Sequence, residues 1–352
     1  MKRQDGLEWL ADLPAHAVLD AVARMDGALR RMVNERKAGR KCGFPKVRKK
    51  FINEAGIYCV GQATEIRDGN ATLPKLGLVH LSGGDVPGGR LLAARVWRDG
   101  DRWMLSAQFE CADPAPLPET DTVVGVDLGV STLVTAFDGT DFDEWTAPKH
   151  LRKAQKRLRR AQRALSRRKK GSARRRAQAR RVGVIHRKVR ERRKDLLHQI
   201  SHRLTAKAGV LKVETLNVRG MARNRHLALS VADAGMSRLV TYCRYKADWR
   251  GRQIEDIDRW FPGSQTCCMC GTIHPEMNMK KGFRDMMVCE CGNRMDRDRN
   301  AAVNHYRCRK ECENRSGDAP TRVEIGVQGC APVPVVEARM LAAEVRPDYE
   351  SQ

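Results

Sequence analysis

The chain has 352 residues, with 67 Lys and Arg against 42 Asp and Glu, and a formal net charge of +25. At 41% hydrophobic residues it can bury a core across about two domains, and no stretch approaches the ~18 apolar residues of a helical membrane span, so whole-chain disorder and a helical membrane protein are excluded. Charge of this size calls for a polyanionic partner, with nucleic acid the first expectation.

The first 30 residues carry Asp5, Glu8, Asp12, Asp20 and Asp26 and no apolar h-region. That pattern argues against a secretory signal and for a cytoplasmic, nucleoid-associated protein. Val18, Leu19, Val22, Met25, Leu29, Met32 and Val33 recur at helical spacing, with Pro14 near the start, so a helix is expected over 14–36. A basic linker, KAGRKCGFPKVRKK, follows and completes a first segment, 1–50. Residues 51–118 read as a small β-barrel. Within them AARVWRDGDRWMLSAQF has the pattern of a hairpin turning at Asp99-Gly100, and Pro114, Pro116 and Pro118 mark a boundary.

TVVGVDLGVSTLVTAFDG predicts strand, tight turn and strand, over 123–128 and 132–137 with Gly129 at the turn. Asp127 ends the first of these apolar strands, where a carboxylate is costly unless paired or bound to metal.

Residues 151–195 hold 22 of the basic side chains against two acids, Glu191 and Asp195, while the remainder carries 45 basic and 40 acidic. One segment therefore makes the protein basic. Its Ala, Leu, Gln, Arg and Lys favour helix, and Gly171-Ser172 interrupts it. Leu151, Leu158 and Leu165 in one arm, and Val182, Ile185, Val189, Leu196 and Ile200 in the other, keep apolar stripes. The expectation is an antiparallel helical hairpin over 149–206; a disordered basic tail would have no reason to keep those stripes. Arg159, Arg160, Arg163, Arg167, Arg168, Lys169, Lys170, Arg174, Arg175 and Arg176 are the candidate phosphate contacts. Aromatics are absent here, so tracking of a duplex backbone fits better than base stacking.

AGVLKVETLN predicts another apolar strand ending in an acid, Glu214. A helix over 235–250 and a strand in RQIEDIDRW follow. Cys267 and Cys270 (C-x-x-C-G), then Cys289 and Cys291 (C-x-C-G), have the spacing of a four-thiolate zinc site, although the second pair is one residue short of the usual knuckle and Cys268 is a spare. The other seven cysteines show no such pattern and read as plain thiols. In NRMDRDRNAAVNHY, Asp296 and Asp298 open an Ala-rich helix, where acids also serve as caps. Two strand-end acids and one at a helix start suit a pair of divalent ions for phosphodiester hydrolysis. Residues 313–352 show no periodicity and read as a flexible tail.

These motifs together resemble the transposon-encoded TnpB (OrfB) proteins, relatives of type V CRISPR effectors. GVDLGVSTLVTAFDG is similar to their first RuvC motif, VETLNVRGM to the second, and SQTCCMCG…VCECGNRMDRDRNAAVN to their zinc ribbon running into the third. RRAQRALSRRKKGS and RRKDLLHQIS resemble the family's basic helical insertion, and FPK…LPKLGLVHL its wedge barrel. The likeness spans about 44–310. It implies an α/β fold: an RNase H-like (RuvC) nuclease over 119–263 and 294–312, holding the basic hairpin and a zinc ribbon at 264–293, preceded by the wedge-like barrel and helical segment. It implies a metal-dependent DNA endonuclease, often labelled a transposase, guided by RNA from the transposon end and cutting target DNA beside a short motif. By position the family's acidic triad falls on Asp127, Glu214 and Asp298, since Asp298 heads D-x-N-A-A, with Asp296 a neighbour that supports it. Cofactors implied are Mg2+ (or Mn2+) at the triad and one structural Zn2+.

Family members open with a further strand and helix ahead of the segment that starts here. That departure keeps a second reading in play, an idle nucleic-acid-binding protein of a truncated element. A zinc-ribbon transcription factor would explain the cysteines and the charge but not the strand-end acids. Oligomeric state has no signature in the sequence.

Overall fold

The computed structural model describes residues 8–46, 56–83, 86–277 and 285–308, and the backbone of 339–346. Part of the basic linker, most of the expected tail, and Cys312 and Cys330 lie outside the described residues. The chain divides into two compact units.

The first unit contains residues up to 112, residues 164–184 and the strand Arg339–Arg346. Helix α1 (Ala15–Lys37) starts directly after Pro14, whose ring presets φ at −55°. Strands β1 (Ile57–Val60), β2 (Glu65–Arg67), β3 (Asn70–Leu73), β4 (Gly77–Ser82), β5 (Arg90–Asp99) and β6 (Arg102–Glu110) follow. They form a seven-stranded sheet in the order β1, β5, β6, Arg339–Arg346, β4, β3, β2, with every pairing antiparallel. The β5–β6 hairpin turns where expected, pairing Asp99 with Arg102 around Gly100, which takes φ +68°. Cys59, Ala71, Leu73, Leu81, Ala94, Val96 and Leu105 form its small core.

One expectation changes here, and one feature of the expected helix is added. Residues 339–346, assigned to a flexible tail, form a strand between β6 and β4; their alternation RMLAAEVR is too weak to declare itself before a sheet supplies partners. The apolar face of α1 is largely uncovered. Met32 is buried, whereas Leu19, Val22, Met25 and Val33 are exposed, because this small sheet reaches only part of a 23-residue helix.

The second unit contains β7 (Val123–Asp127), β8 (Thr132–Phe137), β9 (Phe142–Thr146), β10 (Val210–Glu214) and β11 (Gln253–Ile257). They form a mixed sheet ordered β11-β10-β7-β8-β9. Strands β7, β10 and β11 run parallel, β8 pairs antiparallel with β7, and β9 pairs antiparallel with β8. This α/β sheet has two different faces. Val124, Val126, Leu211 and Val213 point to one, where they pack with Leu197, Ile200, Leu204, Met236, Leu239 and Cys243. Each such fully buried aliphatic side chain contributes about 1.5–3 kcal/mol. Period-two alternation sends Gly125, Asp127, Lys212 and Glu214 to the opposite face.

The basic segment is helical, as its composition predicts: α2 (His150–Ser166) and α3 (Ala173–Lys207), joined through Gly171-Ser172. Leu158, Ile185, Val189 and Ile200 of the predicted stripes are buried, together with Leu197 and Leu204, which the stripe had passed over. At its root, the buried Asp233 carboxylate accepts from the Leu151 and Arg152 amides at 2.9 and 3.2 Å and from Arg193 at 3.1 Å. An acid 82 residues away in sequence thus caps the start of α2. Among the described residues no helix is long and apolar enough to cross a membrane.

Candidate active site and metal centre

Helix α4 (Val218–Arg223), α5 (Ala228–Ala234) and α6 (Met236–Arg250) lead into β11. The hairpin β12 (Met286–Val288) and β13 (Arg294–Asp296) then leads into α7 (Arg297–Arg307). Asp296 caps α7, accepting from the Asp298 and Arg299 amides at 2.9 and 3.1 Å. With its oxygen committed there, Asp296 serves the helix start and Asp298 is the acid free to face the sheet. Helix α7 packs on the face that carries Gly125, Asp127 and Glu214. Lys212, from that face, donates to the Tyr306 and Cys308 carbonyls and so closes the helix C-terminus with positive charge.

In the β7–β10 ladder Val126 is opposite Val213, which puts Asp127 and Glu214 side by side at the next step. One oxygen of each and a ring nitrogen of His305 lie within 4.8 Å of one another. Burial, reinforced by the charges of Glu214 and Asp298, holds the Asp127 carboxyl well above the usual carboxylate range. Burial raises Glu214 to about 7, against a hydrogen bond from the Leu128 amide that lowers it. Asp298 is raised by burial and by Asp296 beside it. Three carboxyls that resist ionising together form a site short of positive charge, and their hard oxygen donors fit a divalent cation.

His305 was not singled out from the sequence, although it lies two helical turns after Asp298 and therefore on the same side of α7. It is buried, and burial lowers it to about 4, so it is neutral; its Nδ1–H donates to the Val126 carbonyl at 2.9 Å. It ties α7 to the strand end that presents Asp127.

The four paired cysteines converge. Cys267 and Cys291 sulfurs are 3.6 Å apart, Cys270 and Cys289 sulfurs 3.5 Å, and all four lie within 4.8 Å of one another. A tetrahedral metal with bonds of about 2.3 Å needs sulfurs nearly this far apart. Gly271 and Gly292, after each pair, take φ +77° and +91° and let the chain turn under the thiolates. The short second pair is accommodated because the Cys289 amide bonds the Asn293 carbonyl, closing the same knuckle.

Asn300, of the D-x-N-A-A pattern, is completely buried and joins this centre to α7. Its Oδ1 accepts from the Cys268 amide at 2.9 Å and its Nδ2 donates to the Thr266 carbonyl at 2.7 Å. Asn304, one turn on, donates to Gly263 and Thr266. Asn293 reaches both Asn300 and the Cys267 sulfur, at 3.4 and 3.3 Å. The spare Cys268 is thus part of the joint, through its backbone.

Of the candidate phosphate contacts, Arg159, Arg160, Arg163, Arg167, Lys169, Lys170, Arg174 and Arg176 are exposed, and Arg168 and Arg175 are half-buried. Arg175 donates to the Leu165 and Arg168 carbonyls, and Arg176 to that of Gly171. Those two guanidiniums hold the turn together, a use that charge counting does not distinguish from phosphate contact.

Residues 106–225 match the family model OrfB_IS605, described as a probable transposase, and residues 237–305 match a Cas12f1-like TNB domain. A Streptomyces pristinaespiralis protein named "Putative RNA-guided DNA endonuclease" is 32% identical over 308 residues, covering 86% of this chain and 73% of that one. A similarly named protein of Mycobacterium tuberculosis is 30% identical over 333 residues, covering 86% and 70%. Among solved structures, a Cas12f1–sgRNA–target DNA complex aligns with TM-score 0.46 at 17% identity, over 62% of this chain and 45% of that one. Identity maintained across most of both sequences makes the relationship one of descent, and the chain belongs to the OrfB (TnpB) family of IS605-type transposable elements.

Proposed function

We propose that this protein is an RNA-guided, metal-dependent DNA endonuclease of a transposable element, and that Asp127, Glu214 and Asp298 are its catalytic acids. The observation that carries the reading is proximity on one face: oxygens of the two strand-end acids lie within 4.8 Å of each other, Asp298 at the helix start is near enough for its charge to raise both, and burial raises all three. These acids would hold magnesium or manganese, which would supply an activated water and neutralise charge at the phosphate. The protein's own part is to hold the acids close, through α7 on Gly125, the Asp296 cap and the His305–Val126 bond. Zinc at Cys267, Cys270, Cys289 and Cys291 would keep the ribbon folded, and the ribbon braces α7 through Asn300. Residues 119–263 and 294–312 are then the RuvC-like nuclease, and 51–118 the wedge-like part, whose sheet is completed by 339–346. Base pairing to a guide RNA from the transposon end selects the target, and the basic helices follow the nucleic-acid backbone.

The test is to sequence RNA that copurifies with the protein, rebuild the matching target with its adjacent motif, and assay cutting. Wild type should cut only with magnesium or manganese. Asp127→Ala should lose at least about 10³-fold in rate while still binding target. Cutting by Asp127→Ala near the wild-type rate overturns the assignment.

A further inference from the structure

The parallel strands β7, β10 and β11 end on one edge of their sheet, and the loops that leave it surround Asp127 and Glu214. In open α/β sheets ligands bind outside these carboxyl ends. The loop after β11 carries the most exposed large hydrophobic side chain among the described residues, Trp260, at 79%. A tryptophan can bury 150–250 Å2 when it finds a partner, so leaving one in water forgoes that gain in the free protein. The Arg259 guanidinium lies over its ring, 4.7 Å from the centroid.

This exposure is not the slack of a loose loop. The Asp258 carboxylate accepts from the Trp260 amide at 2.6 Å, and the Asp258 carbonyl from the Phe261 amide at 3.1 Å. The Thr215 amide, just after Glu214, donates to the Ile257 carbonyl at 3.0 Å. Phe261 packs its ring 6.0 Å from that of His305. Pro262 accepts from Gln265 and Thr266, and Gly263 from Asn304. Both flanks of Trp260 are therefore anchored to the elements that carry the acids, and the indole stands out from a braced base. Arg219, Arg223 and Arg225, on the segment that follows Glu214, are exposed and add positive charge at the same edge.

An aromatic face backed by arginine, beside acids that suit a phosphodiester, has the chemistry of a base-stacking platform: the ring takes the base and the arginines the backbone. Burial in a protein partner would equally cover the indole, but Arg259 over its ring and the exposed arginines on the segment after Glu214 favour a polyanion. We propose that Trp260, with Arg259, forms a stacking subsite for an unpaired nucleobase of the DNA strand presented to Asp127 and Glu214. The subsite rests on the endonuclease reading for the identity of that strand. It would steer the scissile phosphate by holding a neighbouring base, a positioning task distinct from the binding of metal by the acids.

The experiment uses the full chain with no magnesium or manganese added, and single-stranded DNA octamers in which one 2-aminopurine is moved from position to position. Wild type should quench the probe at one position and Trp260→Phe should retain the quench. Trp260→Ala should abolish it and bind the octamer about 5- to 100-fold more weakly. An abasic site at the quenched position should erase the difference in affinity between wild type and Trp260→Ala. Because the side chain is exposed, Trp260→Ala should keep wild-type zinc content and circular dichroism, which separates lost stacking from misfolding. A quench unchanged in Trp260→Ala, or no position-specific quench in wild type, overturns the subsite. The readout needs no cutting. Protein that quenches but never cuts a guide-matched target keeps the subsite and removes the nuclease reading, while protein that cuts without the quench does the reverse.

Discussion

Gly125 and Tyr306 are in backbone contact. A Cβ at Gly125 would overlap the Tyr306 amide nitrogen and the Ala302 carbonyl, and would lie 2.7 Å from the Tyr306 Cα. The helix carrying Asp298 rests directly on the strand carrying Asp127, two residues before that acid. Gly125→Ala should therefore cost about 2–3 kcal/mol or more, where Gly→Ala in an open strand would be neutral or stabilising. Urea denaturation measures the loss. Unchanged stability would mean that α7 can lift from β7 freely.

The Asn300 joint predicts that ribbon and helix fail together. Asn300→Ala leaves the buried Cys268 amide without its partner and the Thr266 carbonyl with Asn304 alone, a loss of about 1–3 kcal/mol. It should also speed the release of zinc to a chelator. Metal analysis should find about one zinc per wild-type chain and none in Cys289→Ser. Zinc held as firmly in Asn300→Ala as in wild type would show that the ribbon folds without α7.

The basic hairpin turn should separate into two classes of side chain. Replacing Lys169, Lys170 and Arg174 with Gln should reduce the slope of log binding against log salt by up to about three, if each meets a phosphate. Arg175→Gln should leave the slope alone and lower thermal stability, because its guanidinium already serves the Leu165 and Arg168 carbonyls. A slope that falls with Arg175→Gln instead would place that side chain on nucleic acid.

His198 makes the fold acid-sensitive. Burial, with the charges of Lys246 and Lys194, lowers it to about 4 from an ordinary 6.5, and its ring stacks on Tyr242 at 4.1 Å. The unfolded chain therefore binds more protons between these values. The contribution is whole above about pH 6.5, declines as pH falls, and is gone below about 4. Allowing for its partial exposure, the stability difference between wild type and His198→Gln should shift by about 1 kcal/mol toward the variant between pH 7 and pH 4.5. Denaturation curves at the two pH values measure it, and a difference independent of pH would show that the ring is solvated.

Strand-end acids, paired thiols and the helical basic segment were legible in the sequence because each is a local pattern. Asp127 and Glu214 end apolar runs, Cys-Gly repeats at knuckle spacing, and leucines recur by sevens in arginine-rich helix. Local spacing also separates Asp296 from Asp298 once a cap is placed. The terminal strand 339–346 was not legible, because a short alternation becomes a strand only when β4 and β6 offer their edges. Nor was the division of labour among the arginines: Arg174 and Arg175 are adjacent and chemically alike, and only the α2 carbonyls within reach of one distinguish them. In the sequence Asn300 is only a letter of a motif, because its partners, the Cys268 amide and the Thr266 carbonyl, are 32 and 34 residues away. Residue type and period are local properties, so the side chains able to do the chemistry can be named before any fold is known. Which of them meet was decided by tertiary structure, because acids 87 and 84 residues apart are brought together only by strand pairing and by a helix resting on a bare glycine.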